Sequence, residues 1–357
     1  MKTYIKFLLN MFFNSFWKIF FLFFGIILIT GILEEIEFFK NVDENFVYPI
    51  LLSLLNTPSI IFEILPFILL ISTQLFFIKL IDSHELEIFK YSGLTNLGII
   101  KIISLFTFIL GLLIIIFYYN FSSLLKSKYL KIKNSYSEDN KYLAVINDNG
   151  LWIKDTIDDK INVINASKVI DQYLTDVLII QFDNKFELIR TIESKKIDIT
   201  SFKWNIKNSN ISENNTTTKV EQMFFKSNFD IKKINTLFSN LSSLNIFELL
   251  QLRKNYKSLN YSLTEIDSHF NKIFSYPVYL TLITILTSII MFNIGYQKSS
   301  LFKIILGIFL SVVIYYISNF FNVLGTSEKI PLFLSIWFPL FILSLINLIF
   351  IMKLNEK

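Results

Sequence analysis

Over its 357 residues the chain is 53% hydrophobic and 17% aromatic, with a mean hydropathy of +0.51. That is more apolar surface than one soluble core of this size needs, so lipid must take up the excess. It has no Cys and two His, His84 and His269, which excludes disulfides, thiolate chemistry and Cys-based metal sites and leaves too few imidazoles for a metal cluster. The net charge of +5 comes from Lys rather than Arg, with no basic cluster interleaved with aromatics, so it is not a nucleic-acid footprint.

The first apolar stretch, 16–33, follows Lys2, Lys6 and Lys18. It is longer than a signal h-region and lacks a small-residue cleavage site: the only alanines are Ala144 and Ala166, and Glu34 and Glu35 follow directly. It reads as a retained spanning helix. Further apolar runs at 60–81, 97–119, 273–296, 301–324 and 330–352 each approach the roughly 20 residues that cross a bilayer core. Six crossings put both termini on one side. Short-loop lysines (Lys2, Lys6, Lys18, Lys79, Lys90, Lys101, Lys298, Lys303, Lys353, Lys357) gather there, against Glu34, Glu35, Glu37, Asp43 and Glu44 with Lys40 opposite. The termini are therefore expected in the cytoplasm and the long insert across the membrane, in the periplasm of a two-membrane bacterium. Glu63, beside Pro66 in the second span, is expected at the interface, with a cavity role as the alternative. Trp17, Trp337, Tyr118 and Tyr119 read as interfacial belt residues.

Between the second and third spans, Asp82 followed by Glu85 has the spacing of a capping box. Leu86 and Phe89 share a helix face, Ser92-Gly93 supplies a stop, and Thr95-Asn96 can start the next helix. A short helix over about 83–92 is expected across the membrane face. By spacing alone Glu85 and Glu87 are its solvated side, Glu87 being supported by Lys90 and Tyr91.

In the insert, alternation replaces helical periodicity. Short segments at 142–146, 151–154, 161–164, 177–182, 186–192, 202–206 and 220–225 are rich in β-branched and aromatic residues and separated by turn formers. Seven or more strands suggest a sandwich or jelly roll. From 245 the period changes, with Ile246, Leu249, Leu250 and Leu252 at helical spacing. The expected division is helices 1–3 over 1–119, an all-β jelly-roll-like domain over 120–244, a helical connector over 245–272, and helices 4–6 over 273–357. Asn-x-Ser/Thr sequences at Asn165 and Asn215 read as chance in an Asn- and Ser-rich chain.

The chain has no G-x-x-x-x-G-K-[ST] phosphate loop and its nine glycines are scattered, so a partner must hydrolyse any ATP that drives it. No paired acids or Ser–His arrangement inside the spans suggests an intramembrane enzyme. Two function classes stay open: a transport subunit, and a membrane-anchored sensor or scaffold with a periplasmic ligand-binding domain. The small cytoplasmic loops leave no room for a signalling output domain.

The stretch His84-Glu85-Leu86-Glu87-Ile88-Phe89-Lys90-Tyr91-Ser92-Gly93-Leu94-Thr95 resembles the loop of the LptF/LptG lipopolysaccharide export permeases. The helix count, the place of the insert, and Pro277 and Pro331 near the starts of the fourth and sixth spans agree across the whole chain. Gly150-Leu151-Trp152-Ile153-Lys154-Asp155 is similar to the LptG strand rather than the LptF one, leaving an LptF-like subunit as the nearest alternative. The resemblance implies a permease subunit of the inner membrane, without its own nucleotide site or bound cofactor. It would pair with an LptF-like subunit above an LptB-like ATPase dimer, which binds ATP and Mg, and pass lipopolysaccharide to an LptC-like periplasmic bridge. Glu85 aligns with the family's coupling acid, with Leu86, Glu87 and Phe89 beside it. Lys40, Tyr315 and Asn319 fall at lipid-facing positions. Glu34 stands where related sequences carry Lys, and would repel a phosphate unless a divalent cation intervened. Acyl chains cost about 0.8 kcal/mol per methylene exposed to water, so extraction needs a continuous apolar route, which inward-facing residues of the insert could extend.

Overall fold

The computed structural model describes residues 3–41, 47–136, 151–158, 160–170, 172–213, 216–231, 233–234, 240–258, 261–293 and 299–355. The expected strand at 142–146, Gly150 and Asn215 lie outside them, as do Asp43, Glu44, Lys298 and Lys357. The chain divides into two units, Met1–Lys126 with Ser262–Lys357, and Ser127–Tyr261.

Among the described residues six helices are long and apolar enough to cross a membrane. The described helices are α1 (Thr3–Phe38), α2 (Val47–Asp82), α3 (Glu85–Tyr91), α4 (Asn96–Leu113), α5 (Asn120–Ser135), α6 (Ile246–Ser258), α7 (Thr264–Asn293), α8 (Ser300–Thr326) and α9 (Leu332–Asn355). A π-helical turn, Ile114–Tyr119, joins α4 to α5 in one continuous rod. At 1.5 Å per residue the 36 residues of α1 or α2 reach roughly 54 Å, well beyond a hydrocarbon core of roughly 30 Å, so both outrun their apolar windows.

Within the first unit α2 packs on α1, α7 and α8, while α7 packs on α2, α4, α8 and α9. The apolar windows of α2 and α7 are 61% and 56% buried, against 11% and 17% in α1 and α8. The first pair is the keel and the second lies outside it. Hydrocarbon gives no hydrophobic drive to helix association, so close backbone approach and interhelical hydrogen bonds must supply it. At the α4–α7 crossing a Cβ on Gly111 would stand 2.8 Å from the Pro277 Cα. At the α2–α8 crossing Gly307 makes room for the fully buried Gln74, whose Nε2 donates to the Lys303 carbonyl at 2.8 Å. Pro66 has no N–H for the Phe62 carbonyl one turn earlier. Tyr276 of α7 fills that gap, donating its hydroxyl to Phe62 O at 2.5 Å while its ring stacks on Phe62.

The second unit holds a six-stranded antiparallel sheet in sequence order: β1 (Leu151–Ile157), β2 (Lys160–Ile170), β3 (Tyr173–Phe182), β4 (Leu188–Asp198), β5 (Lys203–Glu213) and β6 (Thr216–Lys226). It lies between the third and fourth spans, as the sequence leads one to expect. The strands run longer than their apolar alternation because Asn, Ser, Thr and Lys continue the ladder on exposed faces.

One row departs from strict alternation. In β3 the inward side passes from Leu174 to Val177, in β4 from Ser194 to Ile197, and in β5 from Ile206 to Ser209. Each strand thus carries two successive outward residues: Thr175 and Asp176, Lys195 and Lys196, Lys207 and Asn208. Asp176 and Asn208 have φ of 48° and 51°. Because all three strands gain their extra residue in one row, pairing keeps a single register on either side, with Leu174 opposite Ile197 and Val177 opposite Ser194. The sheet bends there without losing its buried face.

The sheet also rolls on itself. Asp155 of β1, 1% exposed, accepts from Ser227 Oγ (2.8 Å), Asn228 N (3.0 Å) and Asn228 Nδ2 (2.8 Å), residues that follow β6. First and last strands, with four strands between them in the ladder, are thereby clasped. Beside the clasp Trp204 is fully buried and donates Nε1 to Phe229 O at 2.7 Å.

Replacing Asp155 by Ala is expected to cost about 2–4 kcal/mol, because three donors lose a buried acceptor. Hydrogen exchange should show residues 226–229 losing protection first; unchanged protection would mean the clasp is not what holds the roll. Gly111→Val should lower the thermal midpoint in detergent, by about 1–3 kcal/mol of overpacking, and equal melting would place α4 and α7 further apart than described.

Candidate functional site

The short helix α3 closes the turn between α2 and α4. α2 stays helical through Asp82, so Asp82 is not the cap; His84 takes that place at φ 57°, without a side-chain capping bond. The helix ends at Ser92. Gly93, at φ 84°, donates its N–H to Lys90 O (3.0 Å) and Leu94 to Phe89 O (2.9 Å), a Schellman closure that needs a left-handed residue and finds glycine. Thr95 then caps α4, its hydroxyl accepting from Gly98 N at 3.1 Å.

This framing fixes where each α3 side chain goes. Leu86 is buried, and Phe89 is half-buried with its ring 5.8 Å from that of Phe7 on α1. Both hold α3 to the helical unit. Glu87 is exposed, 3.8 Å from His84 Nδ1. Glu85 is half-buried, and its Oε2 lies out of solvent with no hydrogen-bond partner among the described residues. A carboxylate oxygen held out of solvent is costly to leave without a donor. The face left open carries Ile88, 60% exposed, and Tyr91, 92% exposed. Neither stood out in the sequence as a contact residue. The available signal was an apolar residue lying off the Leu86–Phe89 face of an otherwise amphipathic helix.

The lipid-facing candidates lie on the outer helices. Lys40 is exposed in the 3-10 turn Phe39–Asn41 that follows α1, where the Phe39 ring is buried against Phe38 and Tyr48. Glu34 is exposed, whereas Glu35, about 100° further round the helix, is buried. Tyr315 and Asn319 lie one turn apart on α8, both exposed. They share a face with each other, but no described contact joins them to Lys40 or Glu34. Two uncovered apolar stripes went unremarked in the sequence: Leu22, Ile26, Ile29 and Leu33 on α1, and Ile305, Phe309, Val312, Tyr316 and Phe320 on α8. Their helical spacing is plain, yet every spanning helix of this chain is apolar all round, which hides which side is open.

Glu63 is exposed, with Lys126 and Lys272 near enough to act on it electrostatically. Lys126 Nζ also donates to Asn56 Oδ1 at 2.5 Å. His269 Nε2 lies 2.9 Å from the Tyr119 hydroxyl, and Tyr118 donates to Pro58 O at 3.1 Å. These bonds tie α2, the π-helical turn with the start of α5, and α7 together at one end of the unit. Among the described residues no group of three His, Asp or Glu side chains could hold a metal ion.

No curated protein matches the chain. A family model does: that of the lipopolysaccharide export system permease LptF/LptG, over residues 6–353. The match takes in all six spans, the α3 turn and the rolled sheet, so the chain belongs to the LptF/LptG family of permeases, multi-pass proteins of the inner membrane.

Proposed function

We propose that the chain is an LptG-like permease subunit of an ABC-type exporter that extracts lipopolysaccharide from the inner membrane and passes it to a periplasmic bridge. The LptG assignment rests on the strand motif ending in Leu151-Trp152-Ile153-Lys154-Asp155, and LptF-like is the alternative. In this reading the termini and α3 face the cytoplasm and the sheet the periplasm, in keeping with the lysine-rich loops. An LptB-like ATPase dimer binds ATP and Mg beneath α3. An LptF-like subunit stands across the α1 and α8 stripes, and an LptC-like protein receives the lipid.

The observation that carries the reading is the division of labour on α3. Leu86 and Phe89 fasten the helix to the bundle, while Glu85, Glu87, Ile88 and Tyr91 remain for a partner. A donor on the ATPase would satisfy Glu85 Oε2 by a charge-assisted bond, and closure of the ATPases would push α2 and α4 through their shared turn. On the other side Lys40 would hold an anionic headgroup. Glu34 would tune its approach, while Tyr315 and Asn319 would offer hydroxyl and amide groups beside the acyl chains. No step of this cycle makes or breaks a covalent bond on this chain.

Affinity purification of the tagged chain in mild detergent should recover an LptB-type ATPase and a second six-span subunit. Glu85→Arg should weaken ATPase recovery about tenfold or more, since it places a cation where a hydrogen-bonded carboxylate is needed and such bonds contribute about 1.5–3 kcal/mol. A chain that purifies alone, or with a signalling protein indifferent to the change, would point to a sensor or scaffold instead. A photo-crosslinking residue at Tyr315 should capture lipopolysaccharide, and one at the fully buried Phe12 should not.

A further inference from the structure

We infer that the cytoplasmic end of the α1–α2 seam holds the headgroup of an anionic glycerophospholipid from the adjoining leaflet, between Lys18 and Lys79. Charges are sparse on these two helices: α1 carries none between Lys18 and Glu34, and α2 none between Glu63 and Lys79. The packing of α1 on α2 brings the two lysines together. Ser15, fully buried, donates to Met11 O at 3.0 Å and accepts from Lys79 Nζ at 3.2 Å, so the half-buried Lys79 side chain is tied across the seam to α1. Lys18, one turn beyond Ser15, is exposed, and its ammonium stands close enough to that of Lys79 for the two charges to act on each other.

Two cations side by side repel, and more strongly near hydrocarbon than in open water. A carboxylate between them would remove the repulsion, but the described residues supply none. Neither lysine has an ion pair among them, and Asp82, one turn past Lys79 on α2, does not reach it. The acids of α1 are Glu34, Glu35 and Glu37, about 24 Å or more along the helix at roughly 1.5 Å per residue. Long lysine stems can carry their ammonium groups to water separately. The Ser15 bond instead holds Lys79 inward beside Lys18, and the counter-charge comes from outside the chain.

The surroundings select a lipid over a dissolved anion. Trp17 stacks on the exposed ring of Phe21, with centroids 5.2 Å apart, an aromatic pair suited to the headgroup level. Beyond it Lys18, Leu22, Gly25 and Ile29 fall on one stripe of α1. A Cβ on Gly25 would meet nothing within 4 Å, which leaves a notch between the exposed Leu22 and Ile29. A phosphate set against the two ammonium groups therefore has apolar surface running away from it into the membrane, and an acyl chain lies along that surface. Glu34 and Lys40 stand at the opposite end of α1, so this site is separate from the headgroup position proposed for the exported lipid. Only the word cytoplasmic depends on the orientation proposed above.

The test uses the full chain in neutral detergent, titrated with dioctanoyl phosphatidylglycerol, dioctanoyl phosphatidylcholine and inorganic phosphate. Wild type should bind the phosphatidylglycerol about tenfold or more tightly than the phosphatidylcholine, whose choline brings a further cation to the two lysines. Lys18→Gln, at an exposed position, and Lys79→Gln should each remove most of that preference. Lys79→Arg keeps the charge and should retain it, which guards against a merely misfolded variant. Lys101→Gln removes an exposed lysine of α4 at the same end of the unit and should change nothing. An undiminished preference in Lys18→Gln overturns the proposal. So does an equal loss in Lys101→Gln, which would mean diffuse attraction to a basic face. Inorganic phosphate binding as tightly as phosphatidylglycerol also overturns it, by making this a free-anion site. None of these readouts needs the ATPase or the exported lipid, so failure here leaves the exporter reading standing, and a chain that recovers no ATPase leaves this site testable.

Discussion

Hydrocarbon offers no hydrogen bonds, and the rest of the helical unit follows from that constraint. Each polar group drawn inside needs a protein partner: buried residues such as Thr57, Ser72, Thr73, Thr284 and Thr287 find a carbonyl one turn back on their own helix, and others reach a neighbouring one. Gln74 reaches the Lys303 carbonyl, Tyr276 the carbonyl that Pro66 leaves open, Ser268 the Asn322 side chain at 2.9 Å, and Asn347 the Leu282 carbonyl at 3.0 Å. Because α2 and α7 supply or receive most of these bonds, they become the keel. α1 and α8 carry fewer and are left with their apolar flanks open. Those flanks are no embarrassment in lipid, where an exposed leucine costs nothing, so their openness alone does not identify a partner. Lys40, Glu34, Tyr315 and Asn319 are exposed polar or charged groups on α1, the turn after it, and α8.

Hydropathy made the helical unit legible because six runs of the required length leave few alternatives. It placed the ends poorly. The third rod continues past Tyr119 to Ser135, since α5 is amphipathic and polar and no longer carries the apolar signal. The α3 turn was readable from Ser92-Gly93 and Thr95, whose geometries are local. Asp82 misled, because a capping residue and an ordinary last-turn residue of a longer helix have the same spacing to Glu85. What the sequence could not show was which α3 residues face outward, since that depends on Phe7, some eighty residues away. Leu86 and Phe89, grouped with Glu85 by resemblance, lie on the side that anchors the helix.

For the insert, alternation located six strands but not their curvature. Strict alternation carried through β3, β4 and β5 would put Thr175, Lys196 and Lys207 on the wrong side of a register that is otherwise regular. The extra residue in each strand is invisible alone, since Lys195-Lys196 reads as two charges on a polar strand. It becomes meaningful only when three strands are laid side by side and the irregularities fall in one row. Asp155 likewise looked like the last letter of a motif. Its clasp on residues 227 and 228 depends on the roll that it helps to hold.

The same economy explains why a few groups were left unsatisfied when so many were paired. A buried carboxylate oxygen without a donor lowers the stability of the isolated subunit, and a donor supplied by a partner recovers that loss at the moment of association. The free energy released is then conditional on one arrangement of the two proteins. A contact with this property distinguishes between conformations of the assembly, whereas an apolar contact that slides costs nearly the same in each. On the proposed reading Glu85 would have this character at the α3 turn, on a helix fastened to the bundle by Leu86 and Phe89. Coupling between two proteins needs both halves: a group whose energy depends on the partner's position, and a rigid mount that carries the displacement onward into α2 and α4.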